Sequence, residues 1–405
     1  MDIFTYPQGT VLYNFGEVPS GIYFLIEGDV SITFYKKEFT LNTGSFGEWS
    51  LFSLPSQEKV LVSSKEATFY VFRPDEVLQS RDFEKILKKF ISSIAKRLMF
   101  INSELAQCQE IPEYVGPDRL RFFKRTHPNA IRFDEKIFQD ISLMKHLFVK
   151  GEYKEAFNIS VKLLSEVLVK DLKKEITIWY TLLTLILDPE HAHLHFKRLD
   201  PKEYGDHLSY QYLSTFFNGG QAREIVELYM KAGFYIPTHT LLTIEGEPAT
   251  QGFLILRGYL KAVKLYEDKE ILLSLVKPGE FVGESAILEN KTRMITLYSI
   301  SPVELIPITR ENVEKATEKN PDFVLKICES QLKRIKQVKS LIELKSNPNS
   351  IQRVVLAINY LQELLEKTRI NVRDISNIAN SPLEIVITEL NRQGFKVSVD
   401  GSVSV

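Results

Sequence analysis

Cysteine and long apolar runs are scarce in this 405-residue chain. Its two cysteines, Cys108 and Cys328, lie far apart, which excludes the disulfide framework of a small secreted domain. The longest apolar stretch, residues 178–187, is shorter than the roughly 20 apolar residues that cross a bilayer. The first residues show no basic segment followed by an apolar run, so we predict no signal peptide. We therefore expect a cytoplasmic protein without a membrane contact.

An excess of charge of either sign is also missing. Lysine and arginine number 51, aspartate and glutamate 52, and the formal net charge is −1. Nothing in the overall charge indicates binding to nucleic acid or to an anionic membrane, so any DNA contact requires a local basic surface. Complete P-loop, metal-hydrolase and Gly-x-Ser-x-Gly motifs are absent from the sequence, and we predict a non-enzyme. The length predicts two or three domains.

The most informative motif lies at residues 282–293, Val-Gly-Glu-Ser-Ala-Ile-Leu-Glu-Asn-Lys-Thr-Arg. It places the carboxylate of Glu284 nine residues before the guanidinium of Arg293, with a glycine directly ahead of the carboxylate. A cyclic nucleotide carries two matching groups, because its ribose 2′-hydroxyl needs an acceptor and its cyclic phosphate needs a bidentate cation and free backbone N–H groups. A solvated loop with a surface ion pair is the alternative interpretation.

This stretch resembles the phosphate-binding cassette of the cyclic-nucleotide-binding domain family. Thr292 and Met294 depart from the family motif, which usually has proline before the arginine and small residues after it. The resemblance implies that Glu284 binds the ribose and that Arg293, with the backbone around 283–286, binds the phosphate. The ligand-binding set is then Gly283, Glu284, Ser285, Ala286 and Arg293. We favour cyclic AMP over cyclic GMP as the ligand, although these residues do not separate the two.

An internal repeat organises the chain. Residues 16–28 align with residues 246–258, and both runs place glycines twelve residues apart around an aromatic and aliphatic core. Each run is followed by alternating strand-like residues and then by a second Gly-Glu pair, at 47–48 and at 283–284. Short strands separated by glycine turns predict two jelly-roll-like barrels, which is also the fold that the resemblance implies. Each barrel would end in a helix, giving domains at 1–110 and 235–345.

The two copies differ at the phosphate-binding position. The residue that matches Arg293 in the first copy is Gln57 or Glu58, and a glutamate there would repel a phosphate. We predict that the first domain is a degenerate, structural copy of the second. Binding of a different ligand is the alternative.

Helical patterns follow both barrels, at residues 83–98 and 323–344. The family resemblance implies that the second of these helices closes over the nucleotide base and forms a dimer contact. Its apolar stripe is compatible with a homodimer, or with burial inside one chain. The stripe consists of Leu325, Leu332, Ile335, Val338, Leu341 and Ile342.

The middle segment, residues 111–234, is predicted to be helical. Residues 148–164 resemble one tetratricopeptide hairpin, with Gly151 at the turn and Ala156 as the small packing residue, and residues 220–233 are a weaker echo. This pattern fits either a surface that docks a protein partner or a plain helical spacer.

A histidine cluster in the same segment raises the question of a metal site. His191 and His195 would share one helix face, close to Asp188 and Glu190. Because no neighbouring cysteine or acidic motif completes a ligand set, we predict no metal site.

Residues 346–405 are predicted to form a winged helix. Ser350 and Ser381 are the expected N-caps of two helices, with a short helix from Asn371 between them and Gly394 ending the last. Residues 395–405 are predicted to form a hairpin turning at 400–401. Together, residues 235–405 resemble the catabolite-activator (cyclic AMP receptor) family of transcription regulators, which implies binding to duplex DNA through residues 369–396.

The predicted recognition helix departs from that family. Leu383, Glu384, Ile387 and Thr388 stand where the family usually carries arginine and glutamate, and no side chain before Asn391 is suited to guanine or adenine. Glu384 and Glu389 would oppose phosphates, whereas four basic residues would favour backbone contacts. The four are Arg369, Arg373, Arg392 and Lys396.

The sequence therefore predicts an α+β multidomain protein with two jelly-roll-like β-barrels, a helical tetratricopeptide-like middle segment and a C-terminal winged helix. We interpret it as a cyclic-nucleotide-responsive regulator, transcriptional in output, in which the nucleotide in the second barrel controls the winged helix. The alternative is a nucleotide-sensing signalling adaptor that docks a protein partner, through 111–234 or through the winged helix, and does not bind DNA.

Overall fold

The structure is a computed structural model that describes residues 2–80, 83–106, 116–266, 269–284, 292–319, 321–365 and 369–404. It has a mixed α+β fold. Two regions built from β-sheets are separated by a helical segment, and a mainly helical region follows the second of them.

The first eight strands form two four-stranded sheets, which we call the first sheet pair. Their orders are β1-β8-β3-β6 and β2-β7-β4-β5. A 3-10 helix at Glu48–Phe52 and two α-helices, α1 (Pro74–Leu78) and α2 (Phe83–Ala106), complete this part. The strands are β1 (Asp2–Pro7), β2 (Val11–Tyr13), β3 (Ile22–Glu27), β4 (Val30–Phe34), β5 (Lys37–Leu41), β6 (Gly44–Phe46), β7 (Lys59–Val62) and β8 (Glu66–Phe72).

The helical segment follows, and its described residues, 116–232, form eight helices and one short strand. Gly151 ends the second of these helices in the left-handed conformation, as the sequence predicts for the turn of a helical hairpin. The elements are α3 (Gly116–Thr126), β9 (Ile131–Arg132), α4 (Glu135–Lys150), α5 (Tyr153–Glu166), α6 (Lys170–Leu187), α7 (Pro189–Phe196), α8 (Pro201–Tyr204), α9 (Leu208–Phe217) and α10 (Glu224–Ala232).

The second sheet pair has the strand orders β10-β17-β12-β15 and β14-β13-β16-β11-β9. Apart from β9, which joins in parallel to β11, each strand occupies the place of its counterpart in the first pair. The strands are β10 (Phe234–Ile236), β11 (Thr240–Thr243), β12 (Gly252–Arg257), β13 (Leu260–Tyr266), β14 (Lys269–Val276), β15 (Phe281–Val282), β16 (Thr296–Ser299) and β17 (Val303–Ile308), followed by α11 (Arg310–Lys319) and α12 (Pro321–Lys345).

The two long helices α2 and α12 pack along each other. Leu332, Ile335, Val338 and Leu341 of the predicted apolar stripe are buried, and so are Leu98, Ile101 and Leu105 of α2, all in one hydrophobic core. The stripe is therefore buried inside a single chain, against the equivalent helix of the first repeat. Because of this packing, α2 also contacts the second sheet pair.

The C-terminal region contains α13 (Ser350–Leu364), β18 (Arg369–Asn371), α14 (Val372–Ala379), α15 (Leu383–Arg392) and β19 (Ser402–Ser404). Both predicted serine caps are wrong. The side chain of Asn349 caps α13, and α15 begins one residue after Pro382, because Ser381 instead bonds to the backbone of Ser350 and Ala379.

The predicted C-terminal hairpin is confirmed in part. Val397 and Val403 form an antiparallel bridge, and the backbone N–H of Ser398 donates to Ser402 O at 2.8 Å across the turn. The longer pairing of β19, however, is with β18. Gly394 follows the end of α15 with a positive φ, as the sequence predicts. Arg353 of α13 donates to the carbonyl oxygens of Ala379 (2.7 Å) and Asn380 (2.8 Å), which fixes the turn between α14 and α15.

A buried carboxylate connects four helices of the helical segment, α4, α6, α9 and α10. Glu175 of α6, fully buried, accepts hydrogen bonds from the Trp179, Ser209 and Tyr229 side chains, with Lys145 Nζ at 3.5 Å. Burial alone would raise the pKa of Glu175, but Lys145 and His207 lower that pKa to about 2. Buried carboxylates with several donors of this kind fix one arrangement of the surrounding elements.

Glu304 of β17 lies beside this network and titrates in the opposite direction. Burial raises its pKa from the usual 4.5 to about 7. The backbone N–H of Leu208 donates to Glu304 Oε1 at 2.5 Å, and this bond opposes part of the rise in pKa. An acid with a raised pKa binds a proton more tightly in the folded state, so stability falls as pH rises from about 4.5 to about 7.

Glu304→Gln is therefore expected to stabilise the protein at pH 8 relative to the wild type, by up to about 3 kcal/mol. At pH 4.5 the two proteins should differ much less, because the wild-type carboxyl is then largely protonated. Thermal melts at both pH values would measure this difference. Glu363→Gln, at an exposed position of α13, is the control for loss of a carboxylate. An equal shift at both pH values would contradict the expectation.

Candidate functional site

The backbone around Gly283 brings the predicted carboxylate and guanidinium together. Gly283 follows β15 with φ +81°, and a Cβ placed on it would lie 2.7 Å from Arg293 Nη1, so the position requires glycine. The backbone N–H of Arg293 donates to Glu247 O and its carbonyl accepts from Gly246 N, both at 2.7 Å. These bonds hold Arg293 against the turn that begins the aligned repeat run at Gly246.

A cavity of about 50 Å³ lies between the second sheet pair and the two long helices. Gly283, Glu284 and Arg293 line it, as the sequence predicts for a ligand site. Of the other predicted residues, Ser285 and Ala286 lie outside the described residues. The remaining walls come from the sheet, from α12 and from α2, and include Thr243, Ala262, Leu273, Ser274, Arg334, Val338, Leu98 and Asn102.

Five of the residues that line this cavity each carry a buried polar atom without a hydrogen-bond partner in the part of the chain that the structure describes. These atoms are Asn102 Oδ1, Thr243 Oγ1, Glu284 Oε2, Arg293 Nη1 and Arg334 Nε. Buried polar groups in folded proteins are nearly always paired. Five unpaired atoms on one cavity, with both donors and acceptors among them, are suited to a polar ligand that carries complementary groups.

Arg334 is a functional candidate that the sequence analysis missed. It lies on α12, is 6% exposed, and its Nη1 donates to Glu284 Oε1 at 3.2 Å. This bond orients the carboxylate and leaves the second oxygen, Oε2, without a partner among the described residues. The sequence signal that could have identified it is the repeat, because Arg97 occupies the corresponding part of α2.

The charge of Arg293 is not fully balanced by the protein. Burial lowers the pKa of its guanidinium to about 10, which the carboxylate of Glu247 partly opposes. Glu247 is also shared with Arg132, whose Nη2 lies 2.6 Å from Glu247 Oε1. Arg293 therefore remains charged at neutral pH, and an anion bound in the cavity would stabilise that charge.

The equivalent place in the first sheet pair is closed by an ion cluster. Arg97 of α2, fully buried, donates to Glu48 Oε2 at 2.5 Å and also to Glu58 Oε1. Glu58 in addition accepts from Tyr13 OH at 2.7 Å and from Trp49 Nε1 at 3.2 Å. Of the two residues that the sequence left open opposite Arg293, it is Glu58 that lies inside, while Gln57 contacts Lys339.

This cluster places two carboxylates where the second sheet pair has one carboxylate and one guanidinium. Burial alone would lower the pKa of Arg97, but Glu48 and Glu58 raise that pKa, so the guanidinium stays charged. A phosphate brought to this place would meet Glu58 and would have to replace both carboxylates on Arg97. The place equivalent to the candidate phosphate site is thus filled by an ion cluster of the protein itself.

The histidine cluster lies on the surface of the helical segment. His191 Nδ1 lies 2.9 Å from Asp188 Oδ2 on the exposed surface of α7. Among the described residues, no group of three or more histidine, cysteine, aspartate or glutamate side chains is arranged to hold a metal ion. Within the same residues, no helix has the length and apolar content needed to cross a membrane.

The exposed face of α15 carries little positive charge. Leu383 and Glu384 are exposed, as are Thr388, Asn391 and Arg392. Glu389, which the sequence placed near phosphates, is instead buried, where it accepts from Gln393 Nε2 at 2.9 Å and lies 3.5 Å from Arg392. Glu384 is thus the acidic residue that this helix presents to a partner.

Part of this chain matches a known protein family. Residues 234–320 match the family model of the cyclic nucleotide-binding domain. A global nitrogen regulator of Synechocystis is 27% identical over 113 residues, which are 27% of this chain and 50% of the relative. The cAMP-activated global transcriptional regulator CRP of Salmonella typhimurium is 28% identical over 106 residues, which are 26% of this chain and 50% of the relative.

A solved structure, the c-di-GMP responsive global regulator CLP of Xanthomonas campestris, has 18% identity and a TM-score of 0.38, covering 45% of this chain and 97% of its own. This chain spans about half the length of the curated relatives that it matches. The part of the chain that the family model matches contains Glu284 and Arg293.

Proposed function

We propose, from the membership of residues 234–320 in the cyclic nucleotide-binding domain family, that this protein is a cyclic-nucleotide-responsive regulator. The second jelly-roll-like barrel binds the nucleotide and controls a C-terminal winged helix, with transcription as the output. One observation carries the proposal. Glu284, Arg293 and Arg334 meet at a single cavity, and each presents a buried polar atom to which no described residue bonds.

We propose a role for each of these groups. Glu284 Oε2 accepts from the ribose 2′-hydroxyl, and Arg293 donates to the cyclic phosphate. Arg334 belongs to α12 and holds the other oxygen of Glu284, so a nucleotide bound to Glu284 also contacts the helix that leads to the winged helix. A ligand shifts the position of this helix only if it binds one arrangement more tightly than the other. Cyclic AMP is the favoured ligand, since one relative is described as cAMP-activated.

Calorimetric titration of the full chain with cyclic AMP and with cyclic GMP tests the proposal. We expect one site per chain, because Arg97 occupies the equivalent place in the first sheet pair. Two sites per chain would contradict the closed first site. No heat with either nucleotide, together with unchanged thermal stability at saturating nucleotide, would overturn the proposed function, because a ligand of the folded state raises its melting temperature.

A signalling adaptor is the second candidate, and the surface of α15 favours it. Leu383 and Glu384 are exposed at the start of this helix, where a carboxylate would oppose the phosphates of a duplex. Titration of the nucleotide-bound protein with several duplexes at two salt concentrations separates the candidates. DNA binding that weakens steeply with salt supports the transcriptional output, whereas absence of binding to every duplex supports the adaptor.

A further inference from the structure

A buried ion cluster joins the second sheet pair to the C-terminal region. Lys261 of β13, 2% exposed, donates to Glu270 Oε1 at 2.6 Å and to Asp374 Oδ1 at 3.1 Å. His127, just beyond α3, lies 2.5 Å from the other oxygen of Glu270. Burial alone would raise the pKa of Glu270, but Lys261 and His127 lower it to about 2. One buried lysine therefore links the sheet to α14.

The same two strands line the candidate nucleotide cavity. Ala262 and Ser274, which are paired across β13 and β14, lie on its wall. Successive side chains of a strand point to opposite faces, so Ala262 faces the cavity and its neighbour Lys261 faces the C-terminal region. A displacement of this wall by a ligand is thus transmitted to Lys261 through one residue of backbone.

We infer that the cluster of Lys261, Glu270 and Asp374 is an interdomain clamp, through which occupancy of the cavity acts on the position of the C-terminal region. This inference rests on the proposed function, because it requires a nucleotide in the cavity. The clamp is a second connection, independent of α12, since Asp374 lies on α14 and bonds to the sheet directly. Asp374 is a positioning residue and does not line the cavity.

Asp374→Asn tests the clamp, because the amide keeps the shape of the side chain and removes the charge that Lys261 contacts. Hydrogen exchange of peptides from α14 and from α13 is measured in the wild type and the variant, with and without saturating cyclic AMP. Calorimetry on the same samples measures nucleotide binding. We expect the variant to bind cyclic AMP within about threefold of the wild type. We also expect the amides of α14 to exchange at least tenfold faster without nucleotide, while the buried amides of α13 stay protected.

The decisive readout is the nucleotide-dependent change in exchange of α14. We expect cyclic AMP to change the exchange of α14 in the wild type. This nucleotide-dependent change should fall by more than half in Asp374→Asn, and Asp374→Glu should restore most of it. Glu363→Gln, at an exposed position of α13, is the matched control and should behave as the wild type. Normal binding with an unchanged nucleotide effect in Asp374→Asn would overturn the clamp alone. Absence of binding in the wild type would overturn the proposed function and the clamp together.

Discussion

Replacing Arg293 with alanine is expected to weaken cyclic nucleotide binding at least about 100-fold, or about 2.7 kcal/mol. The phosphate would lose a charge-assisted contact inside a buried cavity, and losing one partner of such a pair costs roughly 2 to 5 kcal/mol. Folding should not suffer, because Arg293 is buried, its Nη1 has no hydrogen-bond partner among the described residues, and burial lowers its pKa to about 10. The variant therefore removes an incompletely balanced charge from the unliganded protein.

Calorimetry with cyclic AMP gives the affinity, and thermal melts without nucleotide show that the variant is folded. Arg392→Ala is the matched control, because it removes a guanidinium from the exposed end of α15, outside the cavity. Arg293→Lys should lie between wild type and alanine, since an ammonium keeps the charge but not the bidentate geometry. Unchanged affinity in folded Arg293→Ala would show that the phosphate is bound elsewhere.

The sequence identifies the parts of this site that lie close together along the chain. Gly283, Glu284 and Arg293 fall within one motif, and the positive φ of Gly283 is what its glycine predicts. Arg334 and Asn102 were not predicted, because they reach the cavity only through the packing of α12 against α2. That packing brings together helices more than 200 residues apart in sequence, and an apolar stripe alone is equally compatible with a second chain.

The errors in the C-terminal region have local causes. Ser350 and Asn349 are both good N-caps, and the structure selects Asn349, whose side chain accepts from Gln352 N at 3.1 Å. The predicted hairpin is only part of the observed pairing, because residues 402–404 have residues 369–371 as their main partner strand, a pairing that the sequence analysis did not predict. In the first repeat, Gln57 and Glu58 are adjacent, and Glu58 is the buried one because it bonds to Tyr13, Trp49 and Arg97, none of which is its neighbour in sequence.

Replacing Arg97 with methionine is expected to destabilise the first sheet pair by about 3 to 5 kcal/mol, because it leaves Glu48 and Glu58 buried without their cation. The triple variant Arg97→Met, Glu48→Gln, Glu58→Gln should recover most of this loss, since it removes all three charges together. Trp49 reports on this region directly through its hydrogen bond to Glu58. In a Trp179→Phe background it is the one tryptophan in the chain, so its fluorescence in urea follows the first sheet pair.

The same variant also tests what the first sheet pair contributes to the second. Arg97 holds α2 against the first pair, and the next turn of α2 supplies Leu98 and Asn102 to the cavity of the second. Arg97→Met should therefore weaken cyclic AMP binding about tenfold, and the triple variant should restore it. Arg73→Met, at the start of α1 and outside the buried cluster, is the control. If Arg97→Met destabilised the first sheet pair without changing the affinity for cyclic AMP, the expectation would be wrong. The position of α2 at the cavity would then depend on α12 and not on the first sheet pair.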